Sequence, residues 1–245
     1  MSCYSFATLR KSPALLSLTA TERHVTLIWK VGVMITAEKP TRTPRHIQTE
    51  RGCVTICGPV EGADILRYQM DEGLCAFRLP KEQQEALAEI ARLPEGQVIL
   101  ALHDEQIIGY VTFHRPEEFE RWAHDQVPGM LELGAIETSK RWRGLHIGRH
   151  LLEVAFGEGA LEPYVIIATE YYWHWDLKGA GLSVWEYQKF LESLFNRVGL
   201  RRVGTDEPDI LAHPANMLMA RVGRLVPQES VLLFEESLYQ NRWMF

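Results

Sequence analysis

Hydrophobic positions recur along this chain with two periods, and the switches between them mark its elements. Cys53-Val54-Thr55-Ile56, closed by Gly58-Pro59, has the character of a first strand. Two helical stretches are expected over 62–70 and 81–93. In the second, Leu87, Ile90, Ala91 and Leu93 share one face, and Pro94-Glu95-Gly96 stops it. Residues 98–103 and 107–113 predict a hairpin around Asp104-Glu105-Gln106. A Pro- and Glu-containing connection over 114–129 leads to a short buried strand at 131–138. An amphipathic helix at 148–158 and a buried strand at 164–170 follow. Ser183-Val184-Trp185-Glu186 has the capping-box pattern, and Val184, Tyr187, Leu191, Leu194, Phe195 and Val198 form the stripe of a helix that Gly199 can stop.

Between the strand at 131–138 and the following helix lies Arg143-Gly144-Leu145-His146-Ile147-Gly148-Arg149. Ile147, Leu151, Leu152 and Ala155 fall on one side of that helix, with Arg, His and Glu on the rest. A strand, a basic glycine-containing turn and a helix N-terminus together make an anion site. The first N–H groups of a helix lack intrahelical acceptors, the macrodipole adds positive charge, and glycine admits a close approach.

The spacing resembles the acetyl-CoA pyrophosphate loop of the GNAT N-acetyltransferases, (Gln/Arg)-x-x-Gly-x-(Gly/Ala). Two registers fit, Arg141 with Gly144 or Arg143 with Gly148. Both put His146 where the family prefers a small residue, which either narrows the approach of the pyrophosphate or adds an imidazole donor. The element order from residue 53 to about 225 is also similar to that family's.

The resemblance implies an α/β fold of the α+β type. Its mixed, mostly antiparallel sheet would be splayed at the fourth and fifth strands, with flanking helices. It implies acetyl-CoA as cosubstrate and no metal. The cofactor-binding residues it implies are Ile136, Glu137 and Thr138 on the splayed strand, Arg143, Gly144, Leu145, His146, Ile147, Gly148 and Arg149 in the turn, and Asn216. Asn216 opens a stretch to Gly223 that resembles the family's Asn-containing helix. The expected division is an N-terminal extension over 1–45, the acetyltransferase domain over 50–225, and a C-terminal segment over 226–245 packing on it.

The block Glu170-Tyr171-Tyr172-Trp173-His174-Trp175-Asp176 cannot turn all its rings to one core from a strand. It reads either as a mixture of packed and half-exposed rings or as an aromatic wall beside the acyl site or a docking surface. With Asp206-Glu207-Pro208, Ala212-His213-Pro214-Ala215-Asn216 and Leu133-Gly134-Ala135-Ile136-Glu137, it resembles the acetoin-utilisation acetyltransferases of Gram-positive bacteria. Those enzymes acetylate a lysine of acetyl-CoA synthetase and switch it off. The function this implies is a cytoplasmic protein lysine N-acetyltransferase with acetyl-CoA synthetase as its protein substrate, and with no nucleic-acid or membrane partner. Two other readings stay open: an acyl-CoA-sensing module without chemistry, and a GNAT acting on a small amine.

Acetyl transfer to an amine needs a held donor, a neutral amine and a proton for the departing thiolate. A lysine amine has a pKa of about 10.4, so reaching its neutral form at pH 7 costs roughly 4–5 kcal/mol. A nearby carboxylate can accept that proton, and a backbone N–H near 136–138 can serve the oxyanion. Glu132 is the candidate base. Counting six residues back from Thr138 reaches it, and strict alternation places it on the face of Thr138 with Glu137 turned away. The family's usual tyrosine acid has no counterpart: Phe195 precedes Gly199 at one spacing, and Met219 occupies the position at another. Tyr171 and Tyr172 are substitutes of lesser standing.

Composition narrows the alternatives. The 245-residue chain is 46% hydrophobic with a net charge of −6, which suits a packed core and a basic partner better than nucleic acid. Its four cysteines, Cys3, Cys53, Cys57 and Cys75, have no metal-ligand spacing and are expected to be reduced and mostly buried. No run approaches the roughly 18 apolar residues of a membrane span. Residues 1–33 differ from the rest and are either an extension of little function or include a strand at 25–31. A Pro- and Thr-rich stretch at 36–49 follows.

Overall fold

The computed structural model describes residues 39–118, 120–124 and 127–240. The first 38 residues, with the candidate strand at 25–31, lie outside the described residues. The strands are β1 (Arg45–Thr49), β2 (Gly52–Cys57), β3 (Gln69–Met70), β4 (Gln97–His103), β5 (Gln106–His114), β6 (Met130–Thr138), β7 (Val165–Glu170), β8 (Arg201–Val203) and β9 (Met217–Val222). The helices are α1 (Gly62–Ile65), α2 (Pro80–Arg92), α3 (Arg121–His124), α4 (Ile147–Ala155), α5 (Leu177–Ala180), α6 (Val184–Asn196), α7 (Pro208–Leu211) and α8 (Gln228–Ser237).

All strands join one sheet in the order β1-β2-β4-β5-β6-β7-β9-β8, with β3 beside β5. Pairing is antiparallel except for β3 with β5 and β6 with β7. The parallel ladder between β6 and β7 has only three rungs, Met130↔Val165, Leu131↔Ile166 and Glu132↔Ile167. Beyond it β6 stays paired to β5 as far as Thr138, and β7 to β9 as far as Glu170. The two strands therefore part at Glu132, and this is the expected splay.

One face of the sheet is covered by α4 and α6. Ile99, Val111, Leu133, Ile166 and Met219 meet Leu151, Ala155, Leu191 and Phe195 there. The capping box of Ser183 and Glu186 opens α6: Ser183 N donates to Glu186 Oε2 at 2.9 Å and Glu186 N to Ser183 Oγ at 3.3 Å. The opposite face carries two separate clusters. Ile65, Leu87 and Ala88 pack on Val98, Leu100 and Tyr110, while Trp122, Ile210 and Phe234 pack on Val165, Ile167 and Leu218. β6 runs between those clusters.

Several elements differ from these expectations. The expected helix over 62–70 ends at Ile65, and Gln69–Met70 pairs with Gln106 and Ile107. The 216–223 stretch is the strand β9 rather than a helix, because Leu218 and Ala220 alternate with Met217 and Met219 between two cores. The 36–49 stretch supplies an edge strand, β1, ahead of the expected domain start at 50. Arg42, nearly buried, donates to Ala155 O and to Gln97 Oε1 at 2.7 Å, so this segment is fastened to the end of α4. Cys53 and Cys75 are exposed and Cys57 half-buried, against the expectation of mostly buried thiols.

Candidate active site

The pyrophosphate-type turn begins where β6 ends. Ser139 N donates to Ile108 O at 2.8 Å, a short 3-10 turn covers Lys140–Trp142, and α4 starts at Ile147. Its first intrahelical bond runs from His150 N to His146 O. The N–H groups of Ile147, Gly148 and Arg149 thus have no intrahelical acceptor, and they gather at the positive end of the helix. Gly144 has φ 81°, and a Cβ there would meet nothing within 4 Å. Its glycine answers a backbone requirement, not crowding.

His146 is the N-cap of α4 with φ 60°, its imidazole exposed and making no side-chain cap. A left-handed position explains why a small residue is favoured there. Gly148 faces the sheet: a Cβ would lie 3.7 Å from Thr138 Oγ1 and 3.8 Å from Ile136 Cδ1. Ile136, Thr138, Gly148 and the half-buried Leu145 are thereby brought together on the α4 face.

Both candidate arginines are held by carboxylates that the sequence pattern does not reveal. Arg143 lies 2.9 Å from Asp176, in the segment after β7. Arg141 lies 2.7 Å from the buried Asp71, which also accepts from Ser139 Oγ at 2.7 Å and Gly73 N at 2.8 Å. Arg149 points along α4 to Glu153 at 2.6 Å.

Strict alternation fails on β6. Thr112 pairs with Ala135 but Phe113 with Leu133, so Gly134 is the extra residue of a bulge. Leu131, Leu133 and Ile136 all pack in the α4 core, whereas Met130 and Ala135 pack in the clusters opposite. Glu132 and Glu137 consequently share the face away from α4, and Thr138 is on the other. The expected sidedness, Glu132 with Thr138 and Glu137 opposed, is corrected by that one inserted residue.

Glu137 is buried and accepts from Tyr110 Oη at 2.7 Å and Ala76 N at 2.9 Å. Burial raises its pKa against those bonds. Its side chain fastens the 71–79 loop, which leaves only its main chain to face a cofactor. Glu132 is 5% exposed and sits at the last rung of the β6–β7 ladder. Thr169 Oγ1 donates to its Oε1 at 2.7 Å. Burial lifts its pKa, while the Thr169 and Glu120 hydrogen bonds oppose the rise. Glu170, at the end of β7, is pushed up to about 7 by burial, opposed by the indole of Trp175, which donates to it at 3.0 Å.

Asn216 does not reach the turn. Its Oδ1 accepts from Tyr172 N at 3.0 Å, and its Nδ2 donates to Asp209 O at 2.7 Å. Both ends of the amide are engaged, so it braces the aromatic segment against α7. That segment is a mixture of packed and exposed rings. Trp175 stacks on Tyr187, and Tyr171 on Trp173 at 4.9 Å. Tyr172 lies against His213, and His213 against Trp185. Trp173, Trp185 and Phe190 are each about half exposed. Phe195 is fully buried in the core.

Among the described residues, no group of three or more His, Cys, Asp or Glu is placed to hold a metal ion, and no helix is long and apolar enough to cross a membrane. The family model for the acetyltransferase (GNAT) family matches residues 65–172. The acetoin utilization protein AcuA of Bacillus licheniformis is 46% identical over 201 residues, covering 82% of this chain and 96% of that one. AcuA of Bacillus subtilis is likewise 46% identical over 200 residues. The crystal structure of an acetoin utilization protein from Exiguobacterium sibiricum is 50% identical, with a TM-score of 0.81, and covers 84% of this chain and 98% of its own.

Proposed function

The chain belongs to the GNAT acetyltransferases, within the AcuA family of acetoin utilization proteins, and from that premise we propose that it acetylates a lysine side chain of a protein in the cytoplasm, with acetyl-CoA synthetase the candidate acceptor. The family's cosubstrate is acetyl-CoA, which supplies the acetyl group as a thioester.

The observation that carries this reading is the position of Glu132. It stands where β6 and β7 part, on the face of the sheet opposite α4. A donor held at the α4 N-terminus and an amine arriving between the two opposite clusters would meet at that parting. In this reading the N–H groups of Ile147, Gly148 and Arg149 and the guanidinium of Arg143 hold the pyrophosphate, with Gly144, Leu145 and His146 shaping its approach. The main chain of Ile136, Glu137 and Thr138 runs along the edge of β6 left without a β7 partner, and serves the rest of the cofactor and the oxyanion. Glu132 accepts the proton of the acceptor ammonium. Asn216 acts at one remove, by bracing the segment that holds Arg143 through Asp176.

The half-exposed rings of Trp173, Trp185 and Phe190 favour a protein over a small amine as acceptor, since a polyamine does not need so broad an apolar rim. The test is transfer from labelled acetyl-CoA to purified acetyl-CoA synthetase, with spermidine and other simple amines as rivals. The reading expects label on a lysine of the protein, and a loss of about 10²–10³ in kcat for Glu132→Gln at unchanged acetyl-CoA affinity. Transfer to small amines alone would overturn the protein acceptor. Full activity in Glu132→Gln would remove its role as base.

A further inference from the structure

Glu132 is not a solitary carboxyl. Glu120, just ahead of α3, is within hydrogen-bonding reach of it. Glu132 already accepts from Thr169 through Oε1, and Glu120 Oε2 accepts from Glu117 N at 2.8 Å. Two carboxyl groups in contact, one of them enclosed, hold a proton between them, because neighbouring negative charges there repel too strongly to persist. Burial drives both groups toward the protonated form, Glu120 up to about 8, with the charge of Glu132 adding to the rise. The pair shares one proton, and a proton on Glu120 lets that carboxyl donate toward Glu132 beside the bond from Thr169.

Beside the pair, His114 is the cross-strand neighbour of Glu132 on β5, with its ring over Gly134, and the remaining charged and titratable neighbours are acidic or phenolic. Glu117 and Glu170 face Glu132, and Glu117 also faces Glu120. The Tyr171 hydroxyl sits among Glu120, Glu132, Glu207 and Asp209. The nearest basic residue in sequence, Arg121, is engaged elsewhere. It reaches Asp206 at 2.5 Å and Glu207 at 3.2 Å, and donates to Ser237 O at 2.9 Å. Those bonds and the buried Trp122 hold the loop that carries Glu120 against α7 and α8.

The two carboxyls differ in their access to water. Glu132 is enclosed, whereas Glu120 is only half-buried. Of the two, Glu120 is the one that water can reach.

We propose that Glu120 is the positioning and proton-relay residue for Glu132, donating to it in the resting enzyme and delivering a proton to solvent after Glu132 has taken one from the acceptor amine. This rests on the reading of Glu132 as base. In the first step an N–H bond of the ammonium breaks and an O–H bond forms on Glu132. The O–H bond of Glu120 then breaks, its proton passes to water, and the new O–H of Glu132 donates to the Glu120 carboxylate. Movement of that proton across the contact restores the starting pair. One proton enters, one leaves, and no electrons are gained or lost overall.

The experiment compares wild type, Glu120→Gln and Glu120→Asp in the full chain. A glutamine can still donate to Glu132 but cannot release a proton. The expected result is a fall in kcat of about 10–100-fold in Glu120→Gln, with the KM for acetyl-CoA within twofold of wild type and partial recovery in Glu120→Asp. Carbon-13 spectra of labelled glutamate should show a carboxyl titrating near pH 8 in wild type that is absent from Glu120→Gln. Wild-type kcat in Glu120→Gln, or survival of that titration in it, overturns the relay. If Glu120→Gln fails to fold, Glu120→Asp decides: full kcat with an unaltered carboxyl titration refutes the relay, and lowered kcat with a displaced titration supports it. An active wild type with an indifferent Glu120→Gln removes the relay alone, whereas a wild type inactive on every amine removes the base reading with it.

Discussion

Arg143 Nη2 stands 2.9 Å from Asp176 Oδ2, joining the turn ahead of α4 to the aromatic segment that follows β7. Asp176 is also the N-cap of α5, accepting from Gly179 N at 2.9 Å. Its pKa is lowered: burial alone would raise it, and the Arg143 contact and that backbone bond outweigh the burial. The arginine is thus pre-aimed by a residue 33 positions away that also shapes the neighbouring wall.

Arg143→Ala removes a cation from the pyrophosphate-binding side and should weaken acetyl-CoA binding about tenfold, or roughly 1.4 kcal/mol, by calorimetry. Asp176→Asn keeps the cation but releases the contact that aims it, so binding should weaken by less than in Arg143→Ala. Equal losses in both variants would show that the ion pair, not the cation, matters.

Gly144 and Gly148 should answer differently to alanine. At Gly144 the left-handed backbone opposes any Cβ, so Gly144→Ala should lower stability by about 1 kcal/mol even though the space is open. At Gly148 the nearest atom would be 3.7 Å away and the residue is helical, so Gly148→Ala should keep or slightly raise the melting temperature. Loss of acetyl-CoA affinity in Gly148→Ala at unchanged stability would locate the cofactor against that helix turn. Unchanged affinity would move it elsewhere.

Stability should fall as pH rises through neutrality. Glu170, lifted to about 7, and Glu120, lifted to about 8, bind more protons folded than unfolded between about pH 4.5 and those values. That excess stabilises the fold at low pH and is lost as pH rises. Glu162 acts in the opposite sense. Its bond from the Arg224 amide, with Arg221 and Arg224, holds its pKa at about 2, so its contribution is present above about 4.5 and lost on acidification. Melting temperatures should peak in mildly acidic buffer, and Glu170→Gln should flatten the decline above pH 6. A steeper decline in that variant would contradict the assignment.

Trp173→Ala with Trp185→Ala should raise the KM for a protein acceptor about tenfold or more while leaving acetyl-CoA affinity unchanged. The expected fall is confined to protein substrates. A small amine, if turned over at all, should not distinguish the double variant from wild type.

What could be read from the residues was local. The α6 capping box, the end of α2 and the glycine turn before α4 are each written in a few consecutive positions, and so was the splay once the family resemblance was drawn. The roles of Asp71, Asp176, Glu120 and Thr169 are not legible there, because the partner each holds at the site lies at least 12 positions away, with no spacing to announce it. The helix implied at 216–223 comes from the family resemblance, and pairing with β7 and β8 decides the state of that short apolar run. Alternation put Glu132 on the wrong face because counting by twos assumes an unbroken pleat.

The single inserted glycine at position 134 therefore separates two things that sequence comparison treats as one. Aligning a relative column by column preserves the identity of the proposed base, but the side of the sheet that residue faces depends on whether the strand carries the same irregularity. A homologue with an identical glutamate on a strand lacking the bulge of β6 would carry it on the α4 side of the sheet. Such a protein would need another group for the role proposed for Glu132.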